Sequence, residues 1–232
     1  MTRKKTIDQK IQGSNADESI EYLQNFLIEK EKVLTDMPEG ATKLDRANLQ
    51  LDIAEALVGV GRTEECWEMV RQAFTVFLDN EKWEEAVKCC DVLYQSGQPA
   101  SLVALGQGVW LAVTYPIDPQ LSVNMLGYIV DETPANADGA AVAATVAHYI
   151  ADMRTEGKAH ESMTFLTNVL LVNVAKEHSG ISGQEAMNMW MEKLQLLDPA
   201  IFLPRLSMVI GAIVPQDQWW FDREKLRQKI PE

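Results

Sequence analysis

Hydrophobic residues recur at three- and four-residue spacing along most of the chain, which is the period of one face of an α-helix. The first such face begins after Asp17 and carries Ile20, Leu23, Leu27 and Leu34. Prolines, glycines and short polar segments then divide the pattern into roughly ten segments. No run of four or more residues alternates convincingly in a β-branched or aromatic pattern. The sequence therefore predicts an all-α protein.

The predicted helices differ before and after Gly97. Residues 17–97 predict stacked antiparallel helical hairpins, because their connections at Gly61-Arg62 and Asp79-Asn80 are short. Residues 98–214 predict a compact apolar helical bundle fused to the hairpins. A polar segment, residues 1–16, is expected to be a flexible tail, and residues 215–232 form an aromatic and charged C-terminal tail.

The centre of the predicted bundle is almost uncharged. The helix at about residues 100–114 carries no charge and is apolar on all sides, which indicates a helix surrounded by others. The helix at about residues 138–153 is rich in alanine and glycine, so its axis can approach a neighbour closely. We expect Gly106 and Gly108 to provide the groove into which it packs.

One part of the first half resembles the tetratricopeptide repeat family. Leu57, Gly61, Cys66 and Ala73 fall roughly where that repeat places its leucine, glycine and two small residues, and 80–86 is similar to its turn into the second helix. The resemblance covers about residues 47–93 and implies a scaffold that presents a concave face to a peptide or partner protein. Because the two turn-like segments recur at about twenty residues and the family repeat is near thirty-four, a looser stack of antiparallel helices fits equally well.

Charge and composition exclude several functions. With 21 basic and 34 acidic side chains the net charge is −13, and such a surface repels phosphate backbones and anionic lipids, so no nucleic acid partner is expected. The longest apolar run, Leu102–Val113, is too short to insert into a membrane. The N-terminal residues lack the apolar stretch of a secretory signal, and three cysteines suit a reducing compartment, so we expect a cytoplasmic location.

The chain shows no recognisable catalytic motif, and we expect neither a catalytic site nor a bound cofactor or metal. His148, Asp152, Glu156 and His160 follow one another at four-residue intervals and would share one helix face, where adjacent pairs could ligate a metal ion. A surface His–Asp pair is the preferred interpretation. Cys66, Cys89 and Cys90 are interpreted as small buried core residues.

The C-terminal aromatic run is the strongest candidate for binding a partner. Trp219, Trp220 and Phe221 are adjacent, and successive helical residues diverge by about 100°, so at least one should be exposed unless the tail wraps across the bundle. Arg223 adds a positive charge beside them. These four residues are therefore the candidates for partner binding, while attachment of the tail to the body is the preferred interpretation. Met187 and Met191 beside Trp190 could form an adaptable groove, but core filling is preferred.

These observations give two hypotheses. The leading one is a non-catalytic helical adaptor or assembly factor that binds a partner protein, with a possible homo-oligomer contact in the uncharged half. The alternative is a bundle that binds a small molecule or cofactor in an apolar pocket between the helices of residues 100–175.

Overall fold

The structure is a computed structural model that describes the backbone of residues 15–230 and the side chains of residues 19–230. Within that range it contains α-helices and no strand, which confirms the all-α prediction. Most of the predicted tail of residues 1–16 lies outside the described residues, and its last two residues belong to the first helix. The helices are α1 (Asn15–Thr35), α2 (Lys43–Gly59), α3 (Trp67–Asp79), α4 (Trp83–Gln95), α5 (Ser101–Thr114), α6 (Pro119–Glu132), α7 (Asp138–Arg154), α8 (Gly157–Ser179), α9 (Gln184–Lys193), α10 (Pro199–Ile213) and α11 (Arg223–Arg227).

Local sequence signals explain several helix ends. Thr42 and Asp45 form a capping box at the start of α2. Asp118 and Asp198 each cap a helix whose first residue is proline, and the dipeptide Asp198-Pro199 is in itself typical of a helix start. Helix α9 ends at Lys193, and the backbone turns away beyond it, since Gln195 adopts a positive φ of 54°.

Consecutive helices from α1 to α8 pack against each other in a stack. The even-numbered helices also contact one another, since α2 touches α4, α4 touches α6 and α6 touches α8. No comparable contact joins α3 to α5 or α5 to α7 in the part of the chain that the structure describes. Instead α10 returns along the stack and packs on both α5 and α7. One continuous core runs through both halves of the chain.

Helix α5 is enclosed as predicted, but by different neighbours. Residues 103–112 are all buried. The glycine groove was expected to receive the alanine-rich helix, and this was wrong. Gly106 faces Val214 and Ile210 of the α10 region, whereas Gly108 faces Cys90 of α4 and Met125 of α6. The alanine-rich helix, α7, packs on α6, α8 and α10 instead.

Arg154, which is distant from α5 in the sequence, donates hydrogen bonds to the C-terminal end of that helix. It is the only basic residue among residues 101–155. Its guanidinium donates hydrogen bonds to the carbonyl oxygens of Ala112 (2.8 Å) and Val113 (3.3 Å) and to Ser122 Oγ (3.3 Å). The last carbonyls of a helix lack intrahelical donors, so a cation is favourable there. Burial lowers the pKa of Arg154, yet a guanidinium stays charged near neutral pH.

The close approach at Gly108 gives a direct test of the packing. A Cβ added there would lie 2.6 Å from Cys90 Cβ, so α4 and α5 must move apart. We expect Gly108→Ala to lower the free energy of unfolding by about 1–3 kcal/mol. Gly127→Ala is the matched control, because a Cβ at Gly127 of α6 meets nothing within 4 Å. It should stabilise the protein by about 0.5–1 kcal/mol. Urea unfolding of both variants measures the difference, and equal stabilities would contradict the packing of α5.

Candidate functional site

The predicted partner-binding aromatics lie across α3 and α5. Trp220 packs edge-on against Trp67 and Phe74 of α3, with ring centroids 6.5 and 5.4 Å away. Arg71 lies over the same indole, 4.0 Å from the ring centroid. All three aromatics of the run are half-buried. The tail therefore wraps across the body, which is the exception that the sequence interpretation allowed.

Further contacts hold this segment in place. Phe221 and Trp219 both contact Trp110 of α5, with ring centroids 5.4 and 6.3 Å away. The backbone N–H of Trp220 donates to Gln107 Oε1 at 2.9 Å, which satisfies a fully buried amide side chain.

A hydrogen bond and a cation–π contact hold the end of the tail. The hydroxyl of Tyr115 donates to the carbonyl of Leu226 at 2.6 Å. Arg223 stacks on Trp219 at 4.2 Å and donates to Gln216 Oε1. The structure thus brings together Trp219, Trp220, Phe221 and Arg223, and their binding of a partner stays a prediction.

The four residues weighed as metal ligands do not share one helix. Helix α7 ends at Arg154, and the backbone is extended at Thr155 and Glu156, so His160 belongs to α8. His160 Nε2 lies 3.0 Å from Asp152 Oδ1, so this His–Asp pair joins two helices and is not one at the four-residue spacing noted in the sequence. His148 Nδ1 contacts Thr167 Oγ1 of α8 at 2.9 Å. Among the described residues no group of three or more potential ligands could hold a metal ion.

The remaining candidates lie in or against the core. All three cysteines are free and buried, as interpreted from the sequence. Trp190 is buried and donates from Nε1 to His178 Nδ1 at 3.3 Å, which joins α9 to the C-terminal end of α8. Met187 and Met191 pack against the core, so core filling rather than a groove describes them.

Helix α8 carries an exposed apolar surface that the sequence analysis did not identify. The buried residues of α8 are Thr167, Leu171, Val174 and Ala175. On the opposite side lies a surface that we call the α8 face, consisting of Phe165, Leu166, Val169 and Val172. These side chains are 66%, 57%, 44% and 53% exposed. Four large hydrophobic residues on one exposed helix face are typical of a protein contact.

The α8 face is also free of charge. No charged residue occurs between Glu161 and Lys176, and the exposed polar positions in that stretch are Ser162, Asn168 and Asn173. An exposed helix normally carries charged residues on its outer side. This fourteen-residue gap in charge was the signal in the sequence, but it became informative only once the structure showed which side faces solvent.

The position of α8 at one end of the stack explains why the α8 face is exposed. In the described residues α8 is the last helix of the consecutive stack, and its outer face has no helix upon it. Stacked helical proteins need polar outer faces on their terminal helices to remain soluble. Helix α1, at the other end, also exposes apolar residues, among them Tyr22 and Ile28, but the carboxylates of Glu21, Glu29 and Glu31 lie between them. Charge therefore interrupts the apolar surface of α1 and does not interrupt that of α8.

A groove of about 670 Å³ lies between α5 and α10, with Trp110, Leu203 and Ile210 among its lining residues and Arg227 at the C-terminal side. The sequence predicted a ligand pocket between the helices of residues 100–175. The groove has one wall on α5, which belongs to that range, and its other wall on α10, which does not. Ligand binding in the bundle stays a prediction.

Comparisons of the chain with family models, with curated proteins and with solved structures found no match. In the described part of the chain, no helix combines the length and apolar character needed to cross a membrane.

Attachment of the tail can be tested at Trp220. Replacing this half-buried indole by alanine removes contacts with Trp67, Phe74 and Arg71, so Trp220→Ala should lower the free energy of unfolding by about 2–4 kcal/mol. Tyr22→Ala removes an exposed aromatic side chain from α1 and should change the free energy of unfolding by less than about 0.5 kcal/mol. Chemical unfolding followed by circular dichroism measures both. Equal effects would show that the indole does not attach the tail.

The contact between α7 and α8 should depend on pH through His148. Burial lowers the pKa of His148 from its ordinary value of 6.5; Asp152 opposes that shift and His160 adds to it. The unfolded chain then binds the proton more readily than the folded one, so stability is complete above about pH 6.5 and declines as the pH falls below it. We expect His148→Gln to reduce this decline in unfolding experiments between about pH 7.5 and 5.5. The same decline in both proteins would contradict the assignment.

Proposed function

We propose that the chain is a non-catalytic helical adaptor or assembly factor that binds protein through the α8 face. The observation that carries this proposal is the exposure of four large hydrophobic side chains on a helix with no charge over its middle fourteen residues. Burying such a face against another protein is favourable by about 25 cal/mol per Å² of apolar surface removed from water.

The chemistry of this face favours protein over other macromolecules. A phosphate backbone binds to clustered Lys and Arg, and the α8 face offers neither. The net charge of −13 opposes approach to any polyanion. A protein surface with its own apolar side chains suits the α8 face, because both partners then lose unfavourable hydration.

The arrangement of the stack supports a scaffold of the tetratricopeptide type. Helices α3, α5 and α7 begin 34 and 37 residues apart, close to the thirty-four of that family. Helices α2, α4, α6 and α8 begin 36 to 40 residues apart, and α1 begins 52 residues before α3, so the spacing is looser than that of the family. Three buried free cysteines suit a reducing compartment, which supports a cytoplasmic adaptor.

Site-specific photo-crosslinking in intact cells tests this proposal. A photoreactive phenylalanine analogue at Phe165 places the reactive group on the α8 face, and the same analogue at Ile28 places it on exposed α1 as a matched control. We expect one discrete protein adduct from position 165 and none at that mass from position 28. Absence of any protein adduct at Phe165, Val169 and Val172 alike would contradict the proposal.

A further inference from the structure

We infer that α9 is held by a proton-sensitive contact, in which protonation of His178 breaks its hydrogen bond with Trp190 and leaves the imidazole bound to Asp138. The contact lies where α7, α8, α9 and α10 meet. It involves none of the residues of the α8 face and needs no partner there. Its basis is the arrangement of hydrogen-bond donors and acceptors around one histidine ring.

The contacts of His178 assign the position of its proton. Trp190 Nε1 lies 3.3 Å from His178 Nδ1, and an indole nitrogen can only donate a hydrogen bond. Nδ1 is therefore the acceptor, and the proton of the neutral ring lies on Nε2. His178 Nε2 is 3.2 Å from Asp138 Oδ1, so it donates to that carboxylate. One neutral imidazole thus joins α8 to both α9 and α7.

A second proton on the ring removes the contact with α9. An imidazolium carries N–H on both of its nitrogens, so Nδ1 can no longer accept from the indole. The hydroxyl oxygen of Ser179, 2.6 Å from Nδ1, is placed to accept from the new N–H. Trp190 is only 3% exposed. Its Nε1–H therefore loses a partner inside the protein, and leaving a buried donor unpaired is unfavourable.

The same proton strengthens the contact with α7. The neutral ring donates an ordinary hydrogen bond to Asp138, whereas the imidazolium donates a charge-assisted one. Asp138 Oδ2 also pairs with Arg205 at 3.0 Å, so the carboxylate then lies between two cations. Protonation thus weakens the attachment of α9 while it strengthens the contact between α7 and α8. Because the two effects oppose each other, the local attachment of α9 changes more than the overall stability does.

The charges that contact or adjoin the ring are carried by α6, α7, α8 and α10, and α9 contributes none of them. They are Asp131, Asp138, Lys176, Glu177 and Arg205. The carboxylates favour the second proton and the two cations oppose it. From α9 the ring meets the uncharged indole of Trp190, with ring centroids 5.8 Å apart. Only the contact with α9 therefore depends on an unprotonated Nδ1.

Helix α9 has few other attachments. It has ten residues, and in this helix, which lies wholly within the described part of the chain, Trp190 alone is buried. Just beyond its C-terminal end Arg205 donates to the carbonyl oxygen of Leu194, and that bond does not involve His178. Loss of the indole hydrogen bond therefore acts on the one buried side chain of the helix. We expect it to loosen α9 and to leave the rest of the stack folded.

Hydrogen exchange of the full chain, followed by NMR, tests this contact. The probes are the indole N–H of Trp190, identified by its loss in Trp190→Phe, and the backbone amides of residues 184–193. An imidazole takes up its second proton between about pH 5 and 8, so spectra at about pH 7.8 and about pH 5.5 compare the two forms. After correction for intrinsic exchange, we expect the protection of both probes to fall about tenfold at the lower pH. Unchanged protection of α9 in the wild-type chain would overturn the inference.

Two variants show whether the change comes from His178. In His178→Gln the amide can accept from the indole and donate to Asp138 at either pH, so the fall in protection should disappear. His160→Gln is the matched control on the same helix, and the fall should persist there. An equal fall in wild type and His178→Gln contradicts the inference. Should His178→Gln not fold, as judged by circular dichroism, Trp190→Phe decides: it lacks the indole donor, so a persisting tenfold fall in its α9 amides also contradicts the inference.

Discussion

The structure depends on the burial of α5 over residues 103–112. A helix without charge and apolar on every side has to be covered on every side, and α4, α6, α10 and the aromatic tail each cover part of it. Glycine at 106 lets the α10 region approach closely, and glycine at 108 does the same for α4 and α6. At its C-terminal end the exposed carbonyls would be costly in an apolar interior, and Arg154 supplies the donors that they lack.

This requirement explains why the chain turns back after α8. The stack alone leaves α5 and α7 open on the side where the odd-numbered helices make no extensive contact with one another, and α10 covers both. The tail then covers α3 and α5 with Trp220 and Phe221. Because the returning segment is used on that side, nothing in the described chain remains to cover the outer side of α8.

The sequence predicted those features that depend on local pattern. The helices, the cap at Asp198 and the burial of α5 follow from periodicity, capping chemistry and lack of charge. The partners of Gly106 and Gly108 could not be predicted, since a missing Cβ shows that something approaches closely but not which element does. The exposed side of α8 could not be predicted either, because apolar residues occur on both sides of that helix. Only the position of α7 shows which side is buried.

The acidic surface and the apolar α8 face act together. An exposed apolar helix is a risk for unspecific association, and a charge of −13 on each copy opposes most encounters between copies. The repulsion is screened beyond about 8 Å at physiological ionic strength, so it acts mainly on surfaces that come into contact. The α8 face carries no acidic residue from position 162 to position 175, so the repulsion is weakest for an approach through that face. The acidic surface therefore disfavours contacts elsewhere on the chain more than contacts at α8.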